Sequence, residues 1–176
     1  MMKNVNMLMA LLFSLVLISC SSNTLADNST AGSSTLDEYA QQLSDLQRDG
    51  ISYMRLGDGV LIVLPSELIF SGSSPQISVR GSSALKMVAK VIAPMTKMSV
   101  NISAYYPGEQ SRKALTLTSA QARRVSNYLW RAGVDTRLMI ARGYGGGHPV
   151  RIERGNDENY RVEIRLQDLT YSSDGL

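Results

Sequence analysis

Hydrophobic and polar positions divide the chain into stretches of different grain. Met7 to Ile18 (MLMALLFSLVLI) is apolar apart from Ser14 and follows a short start that carries Lys3. At 1.5 Å per residue this run falls well short of the ~30 Å of hydrocarbon in a bilayer, so it predicts the apolar core of a secretory signal peptide. Residues 21–34 (SSNTLADNSTAGSS) have almost nothing to bury and read as a flexible tether with a reach of about 20 Å. Thr35-Leu36-Asp37-Glu38 then has the form of a capping box, and Leu36, Tyr39, Leu43 and Leu46 recur at helical spacing until Asp49-Gly50. This amphipathic helix either packs back on the following domain or meets a partner, and packing back is the expectation.

From Ile51 the period changes. Ile51 to Leu56 and Val60 to Leu64 are strand-like runs about Gly57-Asp58-Gly59, which predicts a hairpin, and Pro65 ends the second run. Leu85, Val88, Ile92 and Met95 form a helical stripe with Ser82-Ser83 as its start signal. Ser99 to Ala104 alternates as a strand. Ala122, Val125 and Leu129 make a second helical stripe closed by Gly133, and Leu138 to Ala141 and Tyr160 to Leu166 supply two more strands. The order β, α, β, α, β, β predicts an α+β fold, with helices on one face of a mixed sheet.

Composition narrows the chemistry. The chain has 176 residues, 44% of them hydrophobic, and 18 Lys+Arg against 15 Asp+Glu give a net charge of +3. That is a globular composition. A single cysteine, Cys20, rules out an internal disulfide or a multi-cysteine metal site, and a single histidine, His148, leaves little for histidine chemistry. Gly145-Gly146-Gly147-His148 lacks the lysine and spacing of a phosphate loop. No nucleophile stands with a base, so no catalytic residue, cofactor or metal is expected and the chain does not read as an enzyme. Aromatic residues make up 6% and no nucleic-acid module is present, so nucleic acid is not an expected partner. Charge is unevenly spread. Residues 20–59 hold six acids against Arg48 and Arg55, a net of −4, whereas residues 60–176 hold nine acids against fifteen bases, a net of +6. This suits either a solvated face or docking on an acidic partner or anionic wall polymer.

The sequence around the cysteine, Leu17-Ile18-Ser19-Cys20, followed by Ser21-Ser22-Asn23-Thr24, resembles the lipobox of bacterial lipoproteins. The resemblance implies cleavage before Cys20, diacylglyceryl and N-acyl modification of that residue, and, with Ser21 in place of an Asp, sorting to the outer membrane with the domain in the periplasm. An ordinary signal peptide with a chance cysteine is the alternative. At about 0.8 kcal/mol per buried methylene, three acyl chains make an effectively permanent anchor.

The remainder resembles the OmpA-like C-terminal domain family, which includes peptidoglycan-associated lipoproteins and flagellar stator domains. Leu61-Ile62-Val63-Leu64-Pro65 with Ile69-Phe70-Ser71-Gly72-Ser73 is similar to that family's strand and Phe-x-x-Gly-Ser turn. Leu117 to Leu129 (LTSAQARRVSNYL) resembles its helix start, and Gly143-Tyr144-Gly145 with Pro149 and Asn159-Tyr160-Arg161-Val162-Glu163-Ile164 resemble its loop and last strand. The resemblance divides the chain into a signal peptide (1–19), lipidated cysteine and linker (20–35), helix and leading strand (36–56), OmpA-like domain (57–168) and tail (169–176).

What the family resemblance implies about ligands is specific. Its members grip the zwitterionic end of diaminopimelate in peptidoglycan, with an Asp after the central strand on the ammonium and an Arg of the next helix on the carboxylate. Those positions fall here on Pro107 and Gln121, and a third, an Asn, falls on Ala114. Asn159 and Arg161 keep the family's residue types. Losing two charge-assisted contacts of roughly 1.5–3 kcal/mol each weakens such binding on the order of a hundredfold or more. Glu109 and Arg124 offer a shifted acid and base, although both are also ordinary surface residues. Thr118-Ser119-Ala120-Gln121 reads as a capping box in which Gln121 bonds back to Thr118. Tyr105 and Tyr106 put large amphipathic rings in the loop region, one on each face of the strand, and the exposed one is a candidate protein contact. The reading that follows is a non-enzymatic outer-membrane lipoprotein in an envelope-spanning complex, similar to the OmpA-like lipoprotein of type IVB secretion cores. The alternative is a peptidoglycan tether using Asn159, Arg161, Glu109 or Arg124.

Overall fold

The computed structural model describes residues 41–57, 59–108, 110–135, 137–147 and 160–169. Cys20, the capping box at 35–38, Glu109, His148, Pro149 and Asn159 lie outside them. The described chain begins in a helix, α1 (41–48). It ends where Gly50 takes φ +81°, a conformation glycine adopts without strain. The Gly50 N–H donates to Gln47 O and the Ile51 N–H to Leu46 O, both at 3.0 Å, which is a Schellman motif. Leu46 and Ile51, the apolar pair beside that motif, are both buried in the core. The described part of the helix therefore packs back on the domain.

The strands β1 (Ser52–Leu56) and β2 (Gly59–Pro65) pair antiparallel with Leu56 opposite Gly59, the hairpin that the glycine pair predicts. A short helix α2 (Ser66–Ile69) leads to α3 (Val79–Ile92), then β3 (Met98–Tyr105), α4 (Arg112–Arg131), β4 (Met139–Gly145) and β5 (Arg161–Asp168). The five strands form one sheet in the order β1-β2-β5-β3-β4. β3 and β4 run parallel and the other neighbours antiparallel. The fold is α+β, with helices on a mixed sheet.

Both long helices start earlier than the pattern of serines and threonines suggests. Ser78, not Ser82-Ser83, caps α3, its Oγ accepting the Gly81 N–H at 2.9 Å. Ser111 caps α4 by accepting the Ala114 N–H at 3.1 Å, so Thr118 lies in the second turn and caps nothing. At each site the capping serine leaves its helix's first N–H groups a partner, and the later hydroxyls serve other contacts. The Ser82 hydroxyl, for example, shares a hydrogen bond with Tyr128 Oη at 3.1 Å.

Alternate sheet positions face the helices. Ile62 and Leu64 of β2, Val100, Ile102 and Ala104 of β3, and Val162, Ile164 and Leu166 of β5 pack in one cluster with Leu46, with Leu85, Val88 and Ile92 of α3, and with Ala122, Val125 and Leu129 of α4. Each large aliphatic side chain buried there contributes roughly 1.5–3 kcal/mol. β4 runs to Gly145, further than the apolar run from Leu138 to Ala141 suggests, because its later positions need glycine. A Cβ on Gly143 would collide with the α4 backbone at Thr118 and Ser119. That close approach seats α4 on the edge strand. It is pinned by Thr118 Oγ1, which is buried, donates to Ala114 O and accepts the Gly145 N–H, both at 2.9 Å.

Candidate functional site

Three segments meet at the head of α4: the loop that leaves β3, the turn after α2, and the start of β5. The Tyr106 N–H donates to Gly145 O at 2.8 Å and the Gly147 N–H to Gly108 O at 3.0 Å, which ties the loop to the end of β4. Between this loop and the first turns of α4 lies a groove of about 810 Å³, lined by Tyr106, Arg112, Lys113 and Ala114 from these segments and by Ser73 and Pro75 from the turn. Its described lining contains two cations and no carboxylate. Placing cations at the positive end of a helix dipole costs rather than gains energy, of order 0.3–1 kcal/mol each. Ala114 is buried behind the cap, and Pro107, half-buried in the loop, has neither a charge nor an N–H to offer.

Behind this groove sits Gln121, with no exposed surface. Its Nε2 donates to Ser74 O at 3.1 Å and to Tyr160 Oη at 2.7 Å. The side chain thus does not bond back to Thr118, because α4 has already been running for more than two turns when it reaches Gln121. The carbonyl of Ser74 can only accept, which fixes the amide with its nitrogen toward Ser74 and leaves Oε1 buried without a partner among the described residues. The Tyr160 ring is buried and packs edge-on against Tyr106, centroids 5.3 Å apart at 71°. Burial, the larger influence, raises the Tyr160 hydroxyl pKa above its ordinary value against the opposing hydrogen bond from Gln121. Gln121 and Tyr160 together fill the space between α4 and the start of β5 with a neutral, hydrogen-bonded pair.

Neighbouring residues in a strand point to opposite faces, and so Tyr105 and Arg161 leave this cluster for the far side of the sheet. Arg161 is buried, its guanidinium carbon 4.0 Å from the centre of the Tyr105 ring and its Nε donating to Glu163 Oε1 at 2.7 Å. The Tyr105 ring stacks in turn on Tyr144, centroids 5.2 Å apart at 12°. Burial and, after it, the Glu163 carboxylate raise the Tyr105 pKa. Arg161 is therefore directed away from the groove at the head of α4. Arg124 is exposed and borders a separate hollow beside Ser74, Pro75 and Ile77. Among the described residues, no three His, Cys, Asp or Glu side chains come together to hold a metal, and no helix is long and apolar enough to cross a membrane.

Residues 69–163, which span both the groove and the Gln121–Tyr160 pair, match the family model described as OmpA family. The chain belongs to the OmpA family. It is 29% identical over 139 residues to the probable lipoprotein YiaD of Escherichia coli (strain K12), covering 76% of this chain and 64% of that one, so it spans somewhat less than two thirds of that relative. The same fold occurs in the periplasmic domain of Helicobacter pylori MotB, with TM-score 0.60, 22% identity, and coverage of 68% of this chain and 80% of that one. It occurs also in the cell wall anchor of the T6SS from Pseudomonas aeruginosa, with TM-score 0.62, 20% identity, and coverage of 74% and 96%. Within the family frame, sequence reasoning missed Ser74 and Tyr160 as the partners of Gln121 and Tyr144 as the partner of Tyr105. The only signal for Tyr160 was an aromatic ring set between Asn159 and Arg161, the two positions that keep the family's residue types.

Proposed function

We propose that this OmpA-family chain is a non-enzymatic lipoprotein, anchored in the outer membrane through Cys20, whose periplasmic domain serves as a structural component of an envelope-spanning complex such as a type IVB secretion core. The observation that carries this reading is the state of Gln121. At the position where the family resemblance implies a ligand-gripping arginine stands a buried amide committed to Ser74 and Tyr160. With Pro107 in place of the family's aspartate, the pair of opposed charges that recognises a zwitterion is replaced by internal packing. The likeness to a probable lipoprotein of Escherichia coli supports the anchor. The apolar run followed by Ser19-Cys20 supports it independently.

A second reading is favoured by one specific observation, the two cations Arg112 and Lys113 at the head of α4. There a carboxylate of the cell wall finds backbone N–H groups and positive charge together, in a weak tether that lacks the ammonium partner. One experiment separates the two readings. Full-length protein extracted in detergent is tested for co-purification with other envelope proteins and, in parallel, for co-sedimentation with purified sacculi. Fixed-stoichiometry partners and a soluble fraction without sacculus binding are expected. Recovery as a free monomer that pellets with sacculi reverses the order of the two readings. Cys20→Ala is expected to abolish membrane retention, and unchanged retention would show a different anchor.

A further inference from the structure

The face of the sheet opposite the helices bears a pattern that the described helices do not cover. Register places Met54, Leu61, Arg165, Asn101 and Ile140 in one row across all five strands, β1 to β4. The next row runs Ser52, Val63, Glu163, Ser103 and Arg142. Beyond it lies the Arg161–Tyr105–Tyr144 stack. Met54 and Ile140 are 49% and 47% exposed. A groove of about 360 Å³ runs between the rows, lined by Asn101 and Ser103 at its middle and by Tyr105, Ile140, Arg142 and Arg165 among others around them.

Charge on this face is lopsided. Glu163 is taken up by Arg161 at 2.7 Å, while Arg142 and Arg165 are exposed and make no ion pair with any described residue. By sheet spacing their Cα atoms stand roughly 12 Å apart, two strands across and one pleat along. An extended chain presents every second residue to one side at about 3.3 Å per residue, so carboxylates at i and i+4 match that separation, with an apolar residue at i+2 between them.

We infer that this face docks an acidic, extended segment of a partner protein, carboxylates meeting Arg142 and Arg165 and an apolar side chain between them crossing β3 over Asn101 and Ser103 beside the exposed Ile140. A second copy of this chain is the wrong partner, because face to face it sets arginines against arginines. An anionic glycan or lipid headgroup has use for the arginines but none for the exposed aliphatic side chain of Ile140. Exposed arginines such as Arg142 and Arg165 are among the side chains enriched at protein interfaces. The inference deepens the proposed role in a complex and rests on it.

The test places a photo-reactive benzoylphenylalanine at Ile140 in the full-length lipoprotein in its native cells, followed by sequencing of the cross-linked peptide. The expected adduct is a segment of another envelope protein with acids four residues apart. Its yield falls about tenfold or more in the Arg142→Glu, Arg165→Glu variant, while the unfolding midpoint is unchanged. Adducts with lipid, glycan or a second copy of the chain, an adduct indifferent to the charge reversal, or no adduct at all overturn the inference. Co-purification of the complex keeps the two readings apart. If partners are retained at wild-type stoichiometry in the charge-reversed variant, the structural role stands and this docking face falls. If the wild type has no partners, both fall.

Discussion

Replacing Gln121 with the arginine that the family resemblance implies is the most direct probe of the plugged site. The side chain at this position is fully buried, and what surrounds its polar end is the Ser74 carbonyl and the Tyr160 phenol, 3.1 and 2.7 Å away. Both can accept from a guanidinium, but neither neutralises it. An uncompensated buried charge costs roughly 3–5 kcal/mol, a large part of the 5–15 kcal/mol that stabilises a typical domain. With a urea dependence of about 1–3 kcal/mol per molar, the midpoint of unfolding should fall by about 2 M, and the thermal midpoint by on the order of 10 °C or more. Gln121→Leu is the companion. It loses two hydrogen bonds worth about 1 kcal/mol each but also removes the unpartnered Oε1, whose burial costs about 1–3 kcal/mol, so its midpoint should stay within about 1 kcal/mol of wild type. Urea titrations followed by tryptophan fluorescence of Trp130 or by circular dichroism read both. If Gln121→Arg unfolds at the wild-type midpoint, the site is open enough to hydrate an ion, and the argument that internal packing has taken the ligand's place is wrong.

Leu46→Ala removes a fully buried side chain and should cost roughly 2–5 kcal/mol in the same titration; a cost near zero would mean that α1 is dispensable to the core. Alkaline pH should weaken the fold through two tyrosines. Tyr105 and Tyr160 both have pKa values raised by burial, so their contribution is fully present below the unfolded value near 10 and is lost as pH rises through the higher folded values. Unfolding midpoints measured from pH 9 to 11 should fall more steeply for wild type than for a Tyr105→Phe, Tyr160→Phe variant, and equal slopes would contradict the assignment.

Much of the fold was legible because its signals are local. The hairpin is written in Gly57-Asp58-Gly59, and the α4 stripe in Ala122, Val125 and Leu129, and both need only neighbours in sequence to be recognised. Helix starts were harder because Ser78, Ser82, Ser83, Ser111, Thr118 and Ser119 are all chemically able to cap, and the choice among them is made by packing. Gly81 must pass the backbone of Ile69, and Thr118 is claimed by Gly145. The end of β4 was hidden for a related reason, since Gly143 reads as loop until α4 is laid across it. The site was legible only as a set of substitutions. That Gln121 and Tyr160 bond one another across 39 residues, and that Tyr105 and Arg161 sit together on the opposite face, follow from sheet register, which no single stretch of sequence contains.

The strand order has a consequence for timing. β5 is the last of the described strands, yet it lies at the centre of the sheet, paired along its length with β2 on one side and β3 on the other. Until Arg161–Asp168 is available, the β1–β2 hairpin and the β3–β4 pair lack the strand that joins them into one sheet. A chain that emerges N-terminus first, whether from a ribosome or across a membrane, therefore cannot close this domain early. Its folding waits on contacts about a hundred residues apart, which are intrinsically slow to form, and a truncation before Arg161 removes the central strand of the sheet. The same delay keeps the polypeptide threadable until its final segment has passed.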